Sequence, residues 1–233
     1  GEWDLMAGGS WNNDGITPAH HNAYTKVMVY GWGTATTLND GTSITIPESK
    51  TNANAFYKVN TTTTNEYYLI ENRQKNGFDA YIPGHGLVIY HVSKDVVSHY
   101  EDNDINAKAP QHMYPVCAST TTNPGSTPST YGNINSDGCP FPGTSNKTSF
   151  TDATTPSMKS WLGVATNKPI TNISENTSTG VITFDFDGGN TGNPTNFSAV
   201  AANESQVDLS WAKSENRDVV VAYSTSSTFG SLV

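Results

Sequence analysis

Apolar and polar positions alternate with two different periods along the chain. Between residues 17 and 31, Ala19, Ala23, Tyr24, Val27, Met28 and Tyr30 recur at helical spacing. Thr17 can cap such a helix, Pro18 suits its first position and Gly31 can end it in a left-handed conformation. After Trp32 the period shortens. Thr42 to Pro47, Ala55 to Asn60, Glu66 to Asn72 and Gly86 to Ser93 are β-branched or aromatic runs separated by Asn, Asp, Gly and Thr clusters, which predicts an antiparallel sheet. The same texture returns at Pro169 to Ile173 and Gly180 to Phe186. Between these runs, 94–109 is polar and acidic, and 119–149 is dominated by Thr, Ser, Pro, Gly and Asn. Both read as long loops, a feature that calls for a function, an ion or a cross-link. The expected fold is mainly β with one N-terminal helix.

The stretch Asp187-Gly-Gly-Asn-Thr-Gly-Asn-Pro194 marks a boundary. It divides the chain into 1–187, a linker at 188–194, and 195–233. In the last part, Asn196 to Ala201, Gln206 to Trp211 and Asp218 to Tyr223 predict three strands in close succession.

Composition narrows the class. The 233 residues are 35% hydrophobic and only 14% charged, so Asn, Thr, Ser and Gly must supply the polar surface, as in secreted β-rich proteins. A formal charge of −9 argues against nucleic acid or an anionic membrane as partner, since both need clustered Lys and Arg. No apolar run is long enough to span a bilayer.

The histidines at 20, 21, 85, 91, 99 and 112 begin no H-E-x-x-H motif. His20 and His21, as sequence neighbours, point apart and do not easily grip one metal. His91, inside an alternating strand, reads as a satisfied half-buried histidine. No G-x-S-x-G elbow, phosphate loop or dinucleotide fingerprint occurs. Cys117 and Cys139 are the only cysteines. In a turn-rich context they read as one disulfide, worth roughly 3 kcal/mol, with two reduced core thiols as the alternative. Glu101, Asp102 and Asp104 sit in an acidic loop whose oxygens suit calcium. The spacing is not that of an EF-hand, and a solvated loop is the alternative.

Two longer resemblances organise these pieces. The opening GEWDLMAGGSWNNDGITPAHHNAYTKVMVYGW resembles the segment after the zinc-binding helix in secreted metallopeptidases of the immune inhibitor A-like family. EYYLIENRQ, FDAYIPGHGLVIYHVS, DNDINAKAPQHM and GCPFPG are similar to that family's β-rich continuation, in the same order, over residues 1 to about 187. The resemblance implies the C-terminal portion of a metzincin-like peptidase domain, with Met6 as the Met-turn methionine and Gly8, Gly9 and Trp11 along the cleft wall.

It also implies zinc in an intact parent protein, protein or peptide substrates, and secretion or display at a bacterial-type cell surface. The ligands and general-base Glu of that family precede its Trp-Asp-Leu-Met run, where only Gly1 and Glu2 stand here, so the chain itself is expected to be an inactive fragment. PTNFSAVAANESQVDLSW, followed by VVVAYS, resembles the first strands of a fibronectin type III sandwich, with Trp211 and Tyr223 as core aromatics. Residues 195–233 supply less than half of the about 100 residues that such an Ig-like module takes, which implies a truncated sandwich whose open edges invite association. The competing reading is an extracellular β-rich adhesion or carbohydrate-binding module with a Tyr, Trp and Asn platform.

Overall fold

The computed structural model describes residues 1–93, 104–188, 195–203 and 206–212. It divides into two compact units, Gly1–Asn190 and Thr191–Val233. The architecture is mainly β with few helical turns.

Unit 1 is built on a five-stranded sheet ordered β1-β3-β4-β5-β6. The strands are β1 (Ala35–Thr37), β3 (Phe56–Asn60), β4 (Tyr67–Arg73), β5 (Gly86–Val92) and β6 (Met113–Pro115). The sheet is mixed rather than purely antiparallel, because β1 joins β3 in parallel while the other pairs are antiparallel. A second, antiparallel sheet orders β2 (Thr42–Ile46), β8 (Val181–Phe186) and β7 (Ile170–Asn176). The strand predicted to end at Ile173 runs on to Asn176. A register shift between Thr171 and Ser174 interrupts it, with Asn172 at φ 51° and its side-chain amide donating to Asp185.

Every residue of β4 and β5 is buried. Successive side chains of a strand point to opposite faces, so the central strands feed two cores at once. Tyr68, Ile70, Leu87 and Ile89 pack with Ile46, Phe150, Ile170 and Phe184, where the two sheets meet. Tyr67, Leu69, Val88, Tyr90 and Val92 pack on the other side with Trp3, Ala19, Ala23 and Tyr24. The segment 119–149 is irregular, as its composition predicts, and is fastened to the sheet by the exchange of backbone hydrogen bonds between Leu87 and Phe141.

The N-terminal helix is shorter and wider than its pattern predicts. Residues 23 and 24 are α-helical and Thr25–Val29 form a π-helical turn, with Gly31 at φ 64° just beyond. The true cap is Asn22, whose side-chain oxygen accepts the Thr25 N–H at 2.9 Å. Residues 17–22 are denied to the helix because their amides are engaged elsewhere: Ala19 N–H donates to Gly9, His20 N–H to Asp79, and Asn22 N–H to Asp4. Long-range acceptors thus override a good local start signal.

In unit 2, β9 (Thr195–Asn203) and β10 (Gln206–Ala212) form an antiparallel hairpin. The third strand predicted there, with Tyr223, lies outside the described residues, as does the side chain of Trp211.

Candidate functional site

The N-terminal segment forms a surface layer over one face of the central sheet, and its chemistry starts with Asp4. One carboxylate oxygen accepts the Met6 N–H at 2.6 Å, and Ala7 N–H donates to the Asp4 carbonyl at 3.0 Å, closing a turn around Met6. The other oxygen accepts both the backbone and side-chain N–H groups of Asn22. One buried acid therefore fixes the Met6 turn and the helix cap together.

Beneath this turn lies a buried ionic cluster on β4. Arg73 is wholly buried and all five of its donors are used. Nε and Nη2 grip the Asp79 carboxylate at 2.8 and 2.6 Å, Nη1 reaches Glu71 at 3.2 Å, and the remaining donations go to the carbonyls of Trp3 at 3.1 Å and His20 at 3.2 Å. Glu71 in turn accepts from Lys26 Nζ at 2.8 Å, Ser49 Oγ at 2.7 Å and Tyr90 Oη at 2.9 Å. Burial alone would raise the Glu71 pKa, but Lys26 and Arg73 outweigh it and hold the carboxyl down at about 2. Burial lowers the Lys26 pKa, against the pull of Glu71. Burial would lower the Arg73 pKa, but Glu71 and Asp79 outweigh it and push it upward, so the guanidinium is permanently charged. Two cations and two anions thereby neutralise one another in a buried cluster.

Above this rigid base the surface is apolar and open. Met6 is 75% exposed, Trp11 77% and Ile16 77%, and Met28, Tyr30, Trp32, Phe78 and Tyr81 are also exposed. Trp11 and Tyr81 line a cleft of about 360 Å³ with Glu2, Gly8 and Asn12. Gly8 is exposed along this cleft, whereas Gly9 is buried, and a Cβ there would come within 2.6 Å of the Asp4 carbonyl and 2.8 Å of Ala19. Gly9 therefore serves the close packing of the turn. His20 and His21 stand beside Trp32 with ring centroids 6.4 and 5.7 Å away, and the Nδ1 atom of each is buried without a hydrogen-bond partner.

The remaining predicted sites separate. Cys117 and Cys139 are both fully buried and in side-chain contact with each other, and both stand as thiols. Antiparallel bonds from Ala118 N–H to Cys139 and from Ser119 N–H to Gly138 hold the two backbones side by side. The contact with Cys139 lowers the Cys117 pKa to about 6 and pushes Cys139 well up. Glu101 and Asp102 of the acidic loop lie outside the described residues, and Asp104 is at their edge. Among the described residues, no group of three His, Cys, Asp or Glu side chains is placed to hold a metal ion. Zinc therefore has no fitting ligand set in the described part of the chain.

Sequence reasoning missed the ionic cluster. Its signal was present: Glu71 and Arg73 share one face of a strand that is otherwise apolar and aromatic, and a charge in such a run must find a partner. No family model, curated protein or solved structure matches the chain. Among the described residues, no helix is long and apolar enough to cross a membrane.

Proposed function

We propose that the chain is part of a secreted or surface-displayed zinc endopeptidase similar to the immune inhibitor A-like family, acting on proteins or peptides. In this reading, residues 1–187 are the C-terminal portion of its metzincin-like catalytic domain, and residues 195–233 begin a fibronectin type III-like module. The observation that carries it is the pairing of an exposed apolar layer with a rigid ionic base. Large apolar surfaces of this kind mark contact with another structural element, and Met6, Trp11, Met28 and Trp32 are concentrated on the segment that resembles the zinc-proximal part of the family. The layer would then cover the half of the domain that bears the metal.

Zinc, when bound by that other half, would supply the Lewis acid and activated water of peptide hydrolysis. The residues of this chain have a different task. Asp4 holds the Met6 turn, and Gly9 lets that turn approach Ala19. Arg73 locks the turn to the helix and to the sheet through Trp3, His20 and Asp79. Trp11 and Tyr81 form a cleft wall against which a peptide can lie.

The reading frame upstream of Gly1 tests the reading. H-E-x-x-H followed closely by a third His or Asp ligand is the expected result. A start codon or signal peptide directly before Gly1 overturns it. The pure 233-residue chain is expected to leave unfolded casein uncut, and cleavage blocked by a zinc chelator would refute the placement of the ligands outside it.

A further inference from the structure

The opposite face of the central sheet carries a second constellation, separate from the peptidase reading. His91 is sandwiched between Tyr68 and Trp161, with ring centroids 4.6 and 5.0 Å away and planes within 27° and 21° of parallel. Its Nε2 faces Glu66 at 2.7 Å and its Nδ1 faces the Tyr114 hydroxyl at 3.0 Å. Glu66, itself buried, also accepts the Trp161 backbone N–H at 2.7 Å, and the Tyr68 hydroxyl donates to the Lys159 carbonyl at 3.0 Å. The segment 159–161 is thus pinned at two points by buried groups, while the Trp161 indole is left half-exposed.

That indole lines a cavity of about 380 Å³. Asn123 and Ser157 line the same cavity and are tied to each other, the Ser157 N–H donating to Asn123 Oδ1 at 2.8 Å. Ser126, Lys159 and Ser160 add polar groups to the rim, and Pro110, Pro124 and Gly125 give it smooth backbone walls. Among the described residues, no carboxylate lines the cavity. The volume lies at the lower end of those that enclose small ligands. One aromatic plate with an amide, hydroxyls and an ammonium around it matches a pyranose ring, which offers a C–H face for stacking and equatorial hydroxyls for hydrogen bonds. Because the plate is already fixed by Glu66, His91 and Tyr68, binding orders little of the protein, which is what a ligand of weak individual contacts requires.

We propose that this cavity is a saccharide-binding site, with Trp161 as its stacking platform and Asn123 and Lys159 as its hydrogen-bonding groups. The test is calorimetric titration of the 233-residue chain with cellotetraose, chitotetraose, mannotetraose and tetragalacturonate. Saturable binding of at least one is expected. Trp161→Ala should weaken it by roughly tenfold or more, and Trp161→Tyr, which keeps a plate, should restore most of it.

Since Trp161 packs on His91, Asn123→Ala and Lys159→Ala at the rim serve as controls. Each should weaken the same ligand severalfold while the urea midpoint stays within error. Binding of none of the four overturns the proposal, as does a Trp161→Ala chain that is folded and binds as tightly as the parent. Binding of a flat aromatic such as adenosine, with no saccharide bound, would assign the cavity to a different class and equally overturn it.

Discussion

The two faces of β4 and β5 bury equal strands by unequal means. One face meets its neighbours through Ile, Leu, Phe and Met, and its polar members, His91, Tyr114 and Glu66, are hydrogen-bonded to one another. The other is apolar at one end and ionic at the other, where Glu71 and Arg73 replace hydrophobic residues and draw in Lys26, Asp79 and Ser49. The apolar face is stabilised by area, which is non-directional and tolerant. The ionic face is stabilised by geometry. It adds little over a well-packed apolar alternative, but it penalises the loss of any one partner heavily. The irregular layer without strands of its own lies over this second face, and it is there that positions need fixing one by one.

The largest effect that would break this contrast is at Arg73. Arg73→Met should lower unfolding free energy by about 3–5 kcal/mol in urea denaturation, because Glu71 and Asp79 are left buried and Trp3 and His20 lose their donors. A loss below 1 kcal/mol would mean that the cluster is not closed to water. On the apolar face, Ile89→Ala should cost about 2–4 kcal/mol through lost burial and the cavity left behind. Unlike the Arg73 loss, this one should not change with pH between 3 and 7.

The acid limb separates the faces further. Glu71, held at about 2 against an ordinary value near 4.5, contributes stability that is complete above 4.5 and is lost as pH falls through about 2. That step should amount to roughly 3 kcal/mol in an acid titration followed by tryptophan fluorescence. Glu71→Gln should flatten this limb, and an unchanged limb would remove Glu71 from the ionic account. The smallest effect concerns the exposed layer. Met6→Ser and Ile16→Ser should change stability by no more than about 0.5 kcal/mol, yet reduce self-association in analytical ultracentrifugation, since both side chains are largely in solvent.

The strands could be read from the chain because each carries its own β-branched or aromatic run, and Phe56–Asn60 and Gly86–Val92 fall within the predicted spans. The three-residue strands Ala35–Thr37 and Met113–Pro115 could not, since neither is long enough to show alternation. The helical stripe predicted which residues face inward, Ala19, Ala23 and Tyr24, but not where helix begins. That boundary is decided by Asp4 and Asp79, of which Asp79 lies 59 residues from the amide it captures. Met28 and Tyr30, assigned to the same stripe, are instead exposed.

The cysteines' adjacency was signalled by the occurrence of just two of them in a polar, turn-rich context. The ionic cluster was hidden for a different reason. Glu71 and Arg73 stand out as charges within an apolar run, but Lys26 and Asp79 look like ordinary surface charges until the topology brings them to the same face, and local patterning carries no information about that meeting.

Arg73 has one more consequence, for the way the molecule opens. Its five hydrogen bonds end on Trp3, His20, Glu71 and Asp79, which belong to the N-terminal turn, the approach to the helix, β4 and the turn before β5. No one of these segments can lift away while the guanidinium stays satisfied, so the layer formed by the first residues cannot open residue by residue. The amides of His20 and Asn22, which donate to Asp79 and Asp4, should therefore exchange with deuterium together with those of β4. A segment with almost no regular secondary structure then opens on the timescale of the central sheet, as part of the same cooperative unit.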